Sequence, residues 1–336
     1  MSQLLEENDQ VPSICVAGAG AIGIAIAARF SIAGFRVRLI ARGGSLASIR
    51  ENGIRLLDKE GDHRSQVEVG RAADFGPQHI LFLCAKSYDL PELAASLQPL
   101  ITSETTIIPV VNGIPWWYFD GEGGLWDGPV VRSVDPKGNL KKLMPSRQII
   151  GTTTVITAER LGWGTAQTFN PLQMTIGELD DRLSTRVGEL AAILNTAGID
   201  VRVATRIRDA VWTKVVRNLI SNPVTAITGA TLRENFGNHY LSDVSRQMLR
   251  EVIPVIEAYG GKLEVDPDAI IESGRILGDV KTSMLQDFEK GNRLELASIC
   301  DAVIEMAERQ GITMPVTEAV TGIAHFRSQG EPANAA

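Results

Sequence analysis

Lys214, Asn218 and Asn222 recur every four residues in the stretch VWTKVVRNLISNPVTAITG, which is otherwise mostly apolar. Hydride attack on a ketone builds negative charge on oxygen; a positioned ammonium stabilises that charge and then supplies a proton. Asparagine amides donate and accept, so they hold hydroxyl and carbonyl groups without adding charge. On one helix, steps of four residues drift by only about 40°. A helix over 207–222 would therefore place all three side chains on one side, with Pro223 kinking or ending it just beyond Asn222. The spacing makes this helix wall a polar stripe suited to face a cleft. The bland reading is a snorkelling lysine beside two amides at a helix end.

Reduction needs a hydride donor. SICVAGAGAIGIAIAARFSIAGFRVRLIAR reads as strand, tight turn, helix and strand, with Gly18, Gly20 and Gly23 in the pattern G-x-G-x-x-G. In such a loop the first glycine permits the turn, the second lets backbone approach a pyrophosphate, and the third lets helix and strand pack closely. Gly18, Ala19, Gly20, Ala21, Ile22 and Gly23 are accordingly the candidate dinucleotide-binding residues, against the alternative of a bland turn. About 20 residues further on, NAD-binding folds carry an acid for the ribose 2′-hydroxyl. Here LIARGGS offers Arg42 and no acid. A guanidinium binds phosphate bidentately, so Arg42 favours NADP over NAD; the alternative is a solvated strand-end arginine. FAD uses a similar loop, but no second flavin-contacting element accompanies this one. Lys86, just past the apolar run HILFLCAK, stands where open α/β sheets bind ligands, although a surface lysine would look the same.

These residues need a frame. Strands are expected at 14–17, at 36–40, in HILFLCAK and in TTIIPVVNG, with helices over 21–33 and 90–100. Strands alternating with helices predict a parallel sheet covered on both faces. The pattern fails between Trp116 and Arg147, returns as strand-like pieces in IIGTTTVIT and MTIGEL, and gives a βα-like stretch over 186–204. From 207 onward only helical periodicity remains: 207–222, 241–259, 267–276, 280–290, 293–310 and a last helix opening at Pro315, a permitted first position. The predicted architecture is an α/β Rossmann-type dinucleotide-binding domain over 11–205 followed by an all-helical C-terminal domain over 206–328. The tail SQGEPANAA is expected to be disordered.

A chain of 336 residues with 44% hydrophobic and 22% charged residues is a folded protein of two-domain length. A net charge of −7 argues against a nucleic-acid partner, which needs a basic stripe. Cys15, Cys84 and Cys300 are odd in number and far apart, which suits a reducing cytoplasm and predicts no disulfide framework. His63, His79, His239 and His325 form no pair at ligand spacing, so no metal is expected. MSQLLEENDQ is acidic, unlike a signal-peptide start. The longest apolar run is glycine-punctuated and too short to span a bilayer, so no membrane segment is expected.

Taken in order, GAGAIG, LIARG, CAKSYDL, VVNGI, KVVRNLISNPVTA and SMLQDFEKGNRLE resemble the ketopantoate reductase (2-dehydropantoate 2-reductase) family over nearly the whole chain. The resemblance implies NADPH-dependent reduction of the 2-keto acid ketopantoate, a step toward pantothenate and coenzyme A, in a cleft between a dinucleotide-binding and a helical domain. It implies that Lys214 is the catalytic lysine and Glu295 the downstream active-site glutamate. Asn218 and Asn222 would contact substrate, and Ser283 would meet its carboxylate. Lys86 and Asn112 would lie along the nicotinamide side, and Arg42 would take the 2′-phosphate. Read without the family, Asn112 before Gly113 makes a turn, Ser283 and Gln286 form a capping box, and Glu295 is a solvated helix charge.

The chain departs from the family pattern in places. VNG replaces QNG, Ala297 stands for an acid and Asp301 for a glycine. GIPWWYFDGEGGLWDG carries Trp116, Trp117, Tyr118, Phe119 and Trp126 directly after Asn112. These aromatics would form a lid or line a pocket enlarged for a bulkier 2-keto acid; equally, they would pack on the protein's own surface or at a dimer contact. A non-catalytic NADP-binding sensor is the alternative of another class, and the intact Lys214 set speaks against it. A homodimer is the default assembly for such an enzyme.

Overall fold

A computed structural model describes residues 12–329. The tail expected to be disordered lies outside them from residue 330, and so does the acidic N-terminus. Two compact units result: Met1–Val111 with Leu140–Ile207, and Asn112–Asn139 with Arg208–Ala336. The segment 112–139, placed by sequence in the dinucleotide domain, thus groups with the helices.

In the first unit the strands β1 (Ile14–Ala17), β2 (Val37–Ile40), β5 (Glu68–Gly70), β6 (Ile80–Leu83) and β7 (Thr106–Pro109) form a sheet of order β5-β2-β1-β6-β7. Every pairing in it is parallel. Both β1 and β6 are wholly buried, as expected of central strands covered on both faces. α1 (Ala21–Ile32) follows β1; it is buried from Gly23 to Ala28, and these small and aliphatic residues let it pack closely on the sheet. α2 (Gly43–Asn52) follows β2, and α3 (Leu90–Ser96) follows β6. The strand order reverses direction at β1 and β6, the place where doubly wound sheets bind ligands.

A second sheet was not legible in the sequence. β3 (Ile54–Asp58), β4 (Gly61–Ser65), β9 (Ala158–Gly162) and β10 (Thr165–Thr168) assemble in the order β4-β3-β10-β9. β4 reads GDHRS and β9 reads AERLG, with no alternation of apolar residues to mark them. Asp58, Glu60 and His63 gather in this hairpin closely enough to hold a cation. The cation beside them is a guanidinium: Arg29 pairs with Asp58 at 2.7 Å and Glu60 at 2.8 Å. A third sheet joins β8 (Gly151–Val155), β11 (Gln173–Gly177) and β12 (Asp200–Val203). The 186–204 stretch proves to be helix then strand: α5 (Thr185–Thr196), capped by Ser184, precedes β12. A short helix, α4 (Asn139–Leu143), opens the return of the chain to this unit.

The second unit contains α6 (Ile207–Leu219), α7 (Asn222–Thr228), α8 (Leu232–Gly237), α9 (His239–Ala258), α10 (Pro267–Ile276), α11 (Ser283–Glu289), α12 (Ala302–Arg309) and α13 (Pro315–Gln329). A π-helical turn at Ala297–Asp301 leads into α12. The helix expected over 207–222 is two helices. Pro223 has no N–H to give to a preceding carbonyl, and it disfavours helical geometry at Asn222. The chain therefore breaks at Ser221 and restarts at Asn222, with Pro223 in the first turn of α7. Glu251 caps α13 by accepting from the N–H groups of Val316 and Thr317. Among the described residues, no helix is long and apolar enough to cross a membrane.

Segment 112–139 joins this unit because its aromatics pack there. Trp116, Trp117, Tyr118 and Phe119 are each 1–2% exposed. Tyr118 stands edge-on to Trp212 of α6, and Phe119 and Trp126 meet Tyr259. The expectation of a lid is corrected: these four side chains belong to the core of the helical unit.

Candidate active site

The glycine loop divides by function. Gly18 adopts φ +116° beside the Cys84 carbonyl, where a Cβ would overlap backbone. A Cβ on Gly23 would overlap the Gly18 carbonyl, as close helix–strand packing requires. Gly20, by contrast, has open space where its Cβ would be. It is the N-cap of α1, no side chain caps that helix, and its first turn holds no acid. Half-buried Ala19, Ala21 and Ile22 complete the loop. A helix start with uncapped N–H groups, reached past a glycine with nothing in front of it, fits a pyrophosphate.

Arg42 follows β2 as the N-cap residue of α2. Its side chain is 74% exposed and pairs with Glu92 at 3.0 Å. Both groups are solvated, so the pair is weak and exchangeable. No acid stands at the end of β2, and a guanidinium fits a 2′-phosphate. Lys86 is half-buried in the turn after β6, at the C-terminal edge of the parallel sheet. Cys84, on the same edge, is buried, and burial raises its thiol far above the usual range; it is structural, not nucleophilic.

In the helical unit the structure brings Lys214, Glu295 and Asn112 together. Lys214 lies in the middle of α6, half-buried among Thr213, Val215 and Val216. Burial pushes its pKa down to about 8, and the Glu295 carboxylate opposes that shift. Glu295 is 5% exposed, so the default of a solvated charge does not hold. The Asn112 amide approaches a Glu295 carboxylate oxygen at 3.5 Å.

Asn218 is half-buried on the last turn of α6, one turn beyond Lys214. Asn222 does not continue that stripe, since it opens α7. It is 3% exposed; its Oδ1 accepts from the Ser221 hydroxyl at 3.3 Å, and its Nδ2 has no hydrogen-bond partner. A buried amide donor without an acceptor is costly, and it is a group a carbonyl or hydroxyl ligand would satisfy. Ser283 is the first residue of α11 and exposed. The cap is Thr282, whose hydroxyl accepts from the Leu285 N–H, so the Ser283–Gln286 capping box is not formed: the helix is capped one residue earlier by a hydroxyl alone. The Thr282 hydroxyl also meets that of Thr225 at 2.7 Å, fixing α11 against α7 and hence Ser283 on the helix beside Asn222.

Two contributors escaped the sequence reading. Ser298 takes the Ile114 N–H on its carbonyl at 2.7 Å, anchoring the turn after Asn112. Glu92 occupies the Arg42 guanidinium. Nothing in the local sequence signals a contact between residues so far apart; only the Asn112-Gly113 turn hinted at a fixed loop.

The chain is similar to known proteins over nearly its whole length. The family model "Ketopantoate reductase PanE/ApbA" matches residues 14–181, and "Ketopantoate reductase PanE/ApbA C terminal" matches 206–328. A 2-dehydropantoate 2-reductase from Mesorhizobium japonicum is 31% identical over 312 residues, covering 92% of this chain and 96% of its own. A crystal structure of a candidate ketopantoate reductase from Ralstonia solanacearum superposes with TM-score 0.90 at 29% identity, covering 95% of this chain and 98% of that one. A D-mandelate dehydrogenase with NADH and anilino(oxo)acetate shares the fold, with TM-score 0.82 at 19% identity over 94% of this chain and 98% of that one.

Proposed function

The chain belongs to the ketopantoate reductase family of oxidoreductases acting on CH–OH groups, and from that premise we propose that it reduces ketopantoate to pantoate with NADPH. The observation that carries the reading is Lys214, lowered to about 8 by burial and held up by the buried Glu295 carboxylate. A general acid works best with a pKa near the operating pH. Arg42, with no acid at the end of β2, supports NADP as the cofactor.

When bound, the dinucleotide supplies the hydride that C2 of the keto acid accepts. Lys214 Nζ stabilises the charge that develops on the carbonyl oxygen and gives it a proton. Glu295 keeps Lys214 protonated near neutrality. The unpartnered Asn222 amide donates to a substrate oxygen, Asn218 adds a second amide one turn after Lys214, and Ser283 receives the carboxylate. Three free, buried cysteines suit a reducing cytoplasm.

The test is NADPH oxidation with ketopantoate by the purified chain, beside Lys214→Ala and an NADH control. Turnover that prefers NADPH and collapses in the variant supports the reading. Binding of NADPH without turnover removes ketopantoate and directs the search to other 2-keto acids. Turnover with NADH alone removes NADP as the cofactor, and absence of binding of either nucleotide removes the reductase reading altogether.

A further inference from the structure

Residues 112–120 touch both α6, which carries Lys214, and the π-helical turn that begins two residues after Glu295, and we propose that this segment is the brace that sets the spacing of the proposed catalytic pair, with Gly113 and Tyr118 as positioning residues. The inference rests on the reading of Lys214 and Glu295 as that pair. At one end the brace meets the π-helical turn. The Ile114 N–H donates to the Ser298 carbonyl at 2.7 Å. Gly113 adopts φ +85° and lies so close that a Cβ would overlap the Ser298 carbonyl and side chain, so only glycine permits this approach. Ser298 is tied in turn to the residue that matters. The Glu295 carbonyl accepts the Ile299 N–H at 3.2 Å and the Ser298 hydroxyl at 3.4 Å. A π turn at this point has the character of a functional adaptation rather than a regular helix.

At the other end the brace meets α6. Trp212 Nε1 donates to the Tyr118 hydroxyl at 2.6 Å. Arg208 donates to the carbonyls of Tyr118 at 2.8 Å and Asp120 at 2.6 Å. Both donors stand on α6 ahead of Lys214, and both are buried. Polar contacts in such surroundings are expensive to break. The span between the anchors is short and wound tight: Tyr118 N–H donates to the Pro115 carbonyl and Asp120 N–H to the Trp117 carbonyl. The distance from α6 to the π turn is therefore fixed by a rigid turn lying outside the polar group itself. Asn112, at the foot of the brace, reaches Glu295 from the same turn.

A positioning role predicts coupling that a merely structural role does not. In the full chain labelled with 13C-lysine, the Lys214 titration midpoint is followed by NMR, with Lys214→Ala identifying the resonance. Glu295→Gln lowers the midpoint in the otherwise unaltered chain. In Gly113→Ala and in Tyr118→Phe backgrounds, the same Glu295→Gln substitution should move it by about half as much or less. Tyr118→Phe keeps the ring and the fold, so the test survives if Gly113→Ala fails to fold. Thr317→Val, which removes an α13 hydroxyl bonded to Glu251 of α9, serves as the destabilised control. It should lower the melting temperature and leave the Glu295→Gln shift whole. Equal shifts in every background overturn the brace, and so does a reduced shift in the Thr317→Val control. Failure of the unaltered chain to turn over any 2-keto acid would remove the reductase reading alone, because the titration needs no substrate.

Discussion

The Glu295 carboxylate works against the burial of Lys214: burial drives the ammonium down to about 8, and the carboxylate raises it. If Lys214 is the proton donor, reduction requires its charged form. The rate of reduction should then fall about tenfold per pH unit above about 8, whereas the reverse oxidation, which needs the neutral amine, should rise with pH up to about 8 and level off above it. Glu295→Gln removes the raising influence, so the fall begins at lower pH. The stability contribution of this group runs the other way. Its folded pKa is below its unfolded value of 10.5, so the buried charge costs stability below about 8, and that cost shrinks between about 8 and 10.5, where the unfolded chain binds more protons. A pH profile of kcat/KM flat from 7 to 10 would exclude Lys214 as the donor.

The three loop glycines should separate in two measurements. Gly18→Ala and Gly23→Ala force a Cβ into backbone and should lower the melting temperature sharply. Gly20→Ala meets no protein atom, so the fold should tolerate it while a pyrophosphate loses its approach. The expected outcome is a melting temperature near that of the unaltered chain and NADPH affinity reduced by about tenfold or more. Unchanged NADPH affinity in Gly20→Ala would place the nucleotide elsewhere.

That contrast shows how much of the molecule was legible in its sequence. The parallel sheet and α1 announced themselves because apolar runs and a glycine turn are local signals. Lys214 and Glu295 were singled out by motif and resemblance, yet the burial of Glu295 was not legible, since burial depends on what packs from elsewhere. The break at Ser221 was misplaced by only a few residues, because proline marks a helix boundary without saying which side of it the chain turns. The second sheet stayed hidden because its hairpins are polar and half-exposed. The assignment of 112–139 depends on contacts with Arg208, Trp212 and Tyr259, nearly a hundred residues or more away.

Arg42 and Glu92 give a test of cofactor choice. Their exposed pair at 3.0 Å must open for the guanidinium to take a phosphate. Glu92→Gln should therefore tighten NADPH by a few-fold, about the worth of one surface ion pair, and leave NADH unchanged. Arg42→Ala should weaken NADPH by about tenfold or more, again with little effect on NADH. Fluorescence titration of both nucleotides against both variants reads the four affinities. Equal losses for NADPH and NADH in Arg42→Ala would deny the arginine a role in reading the 2′-phosphate.

The buried tryptophans decide between a lid and a core. Trp116 and Trp117 are each 1% exposed, and neither indole N–H has a hydrogen-bond partner. Truncation to alanine should cost about 3–5 kcal/mol apiece in urea unfolding, as for large core aromatics. Trp116→Phe and Trp117→Phe should cost far less, because no hydrogen bond is lost and an unpartnered N–H is removed. Nucleotide affinity should stay constant across all four variants, since the glycine loop belongs to the other unit. A lid would behave in the opposite way: stability would hold, and KM for the keto acid would change on truncation. Because these side chains fill the helical unit that also carries Lys214 and Glu295, their truncation should lower kcat only as far as the unit loosens. Restoring the lost stability with a moderate osmolyte should then recover part of that rate.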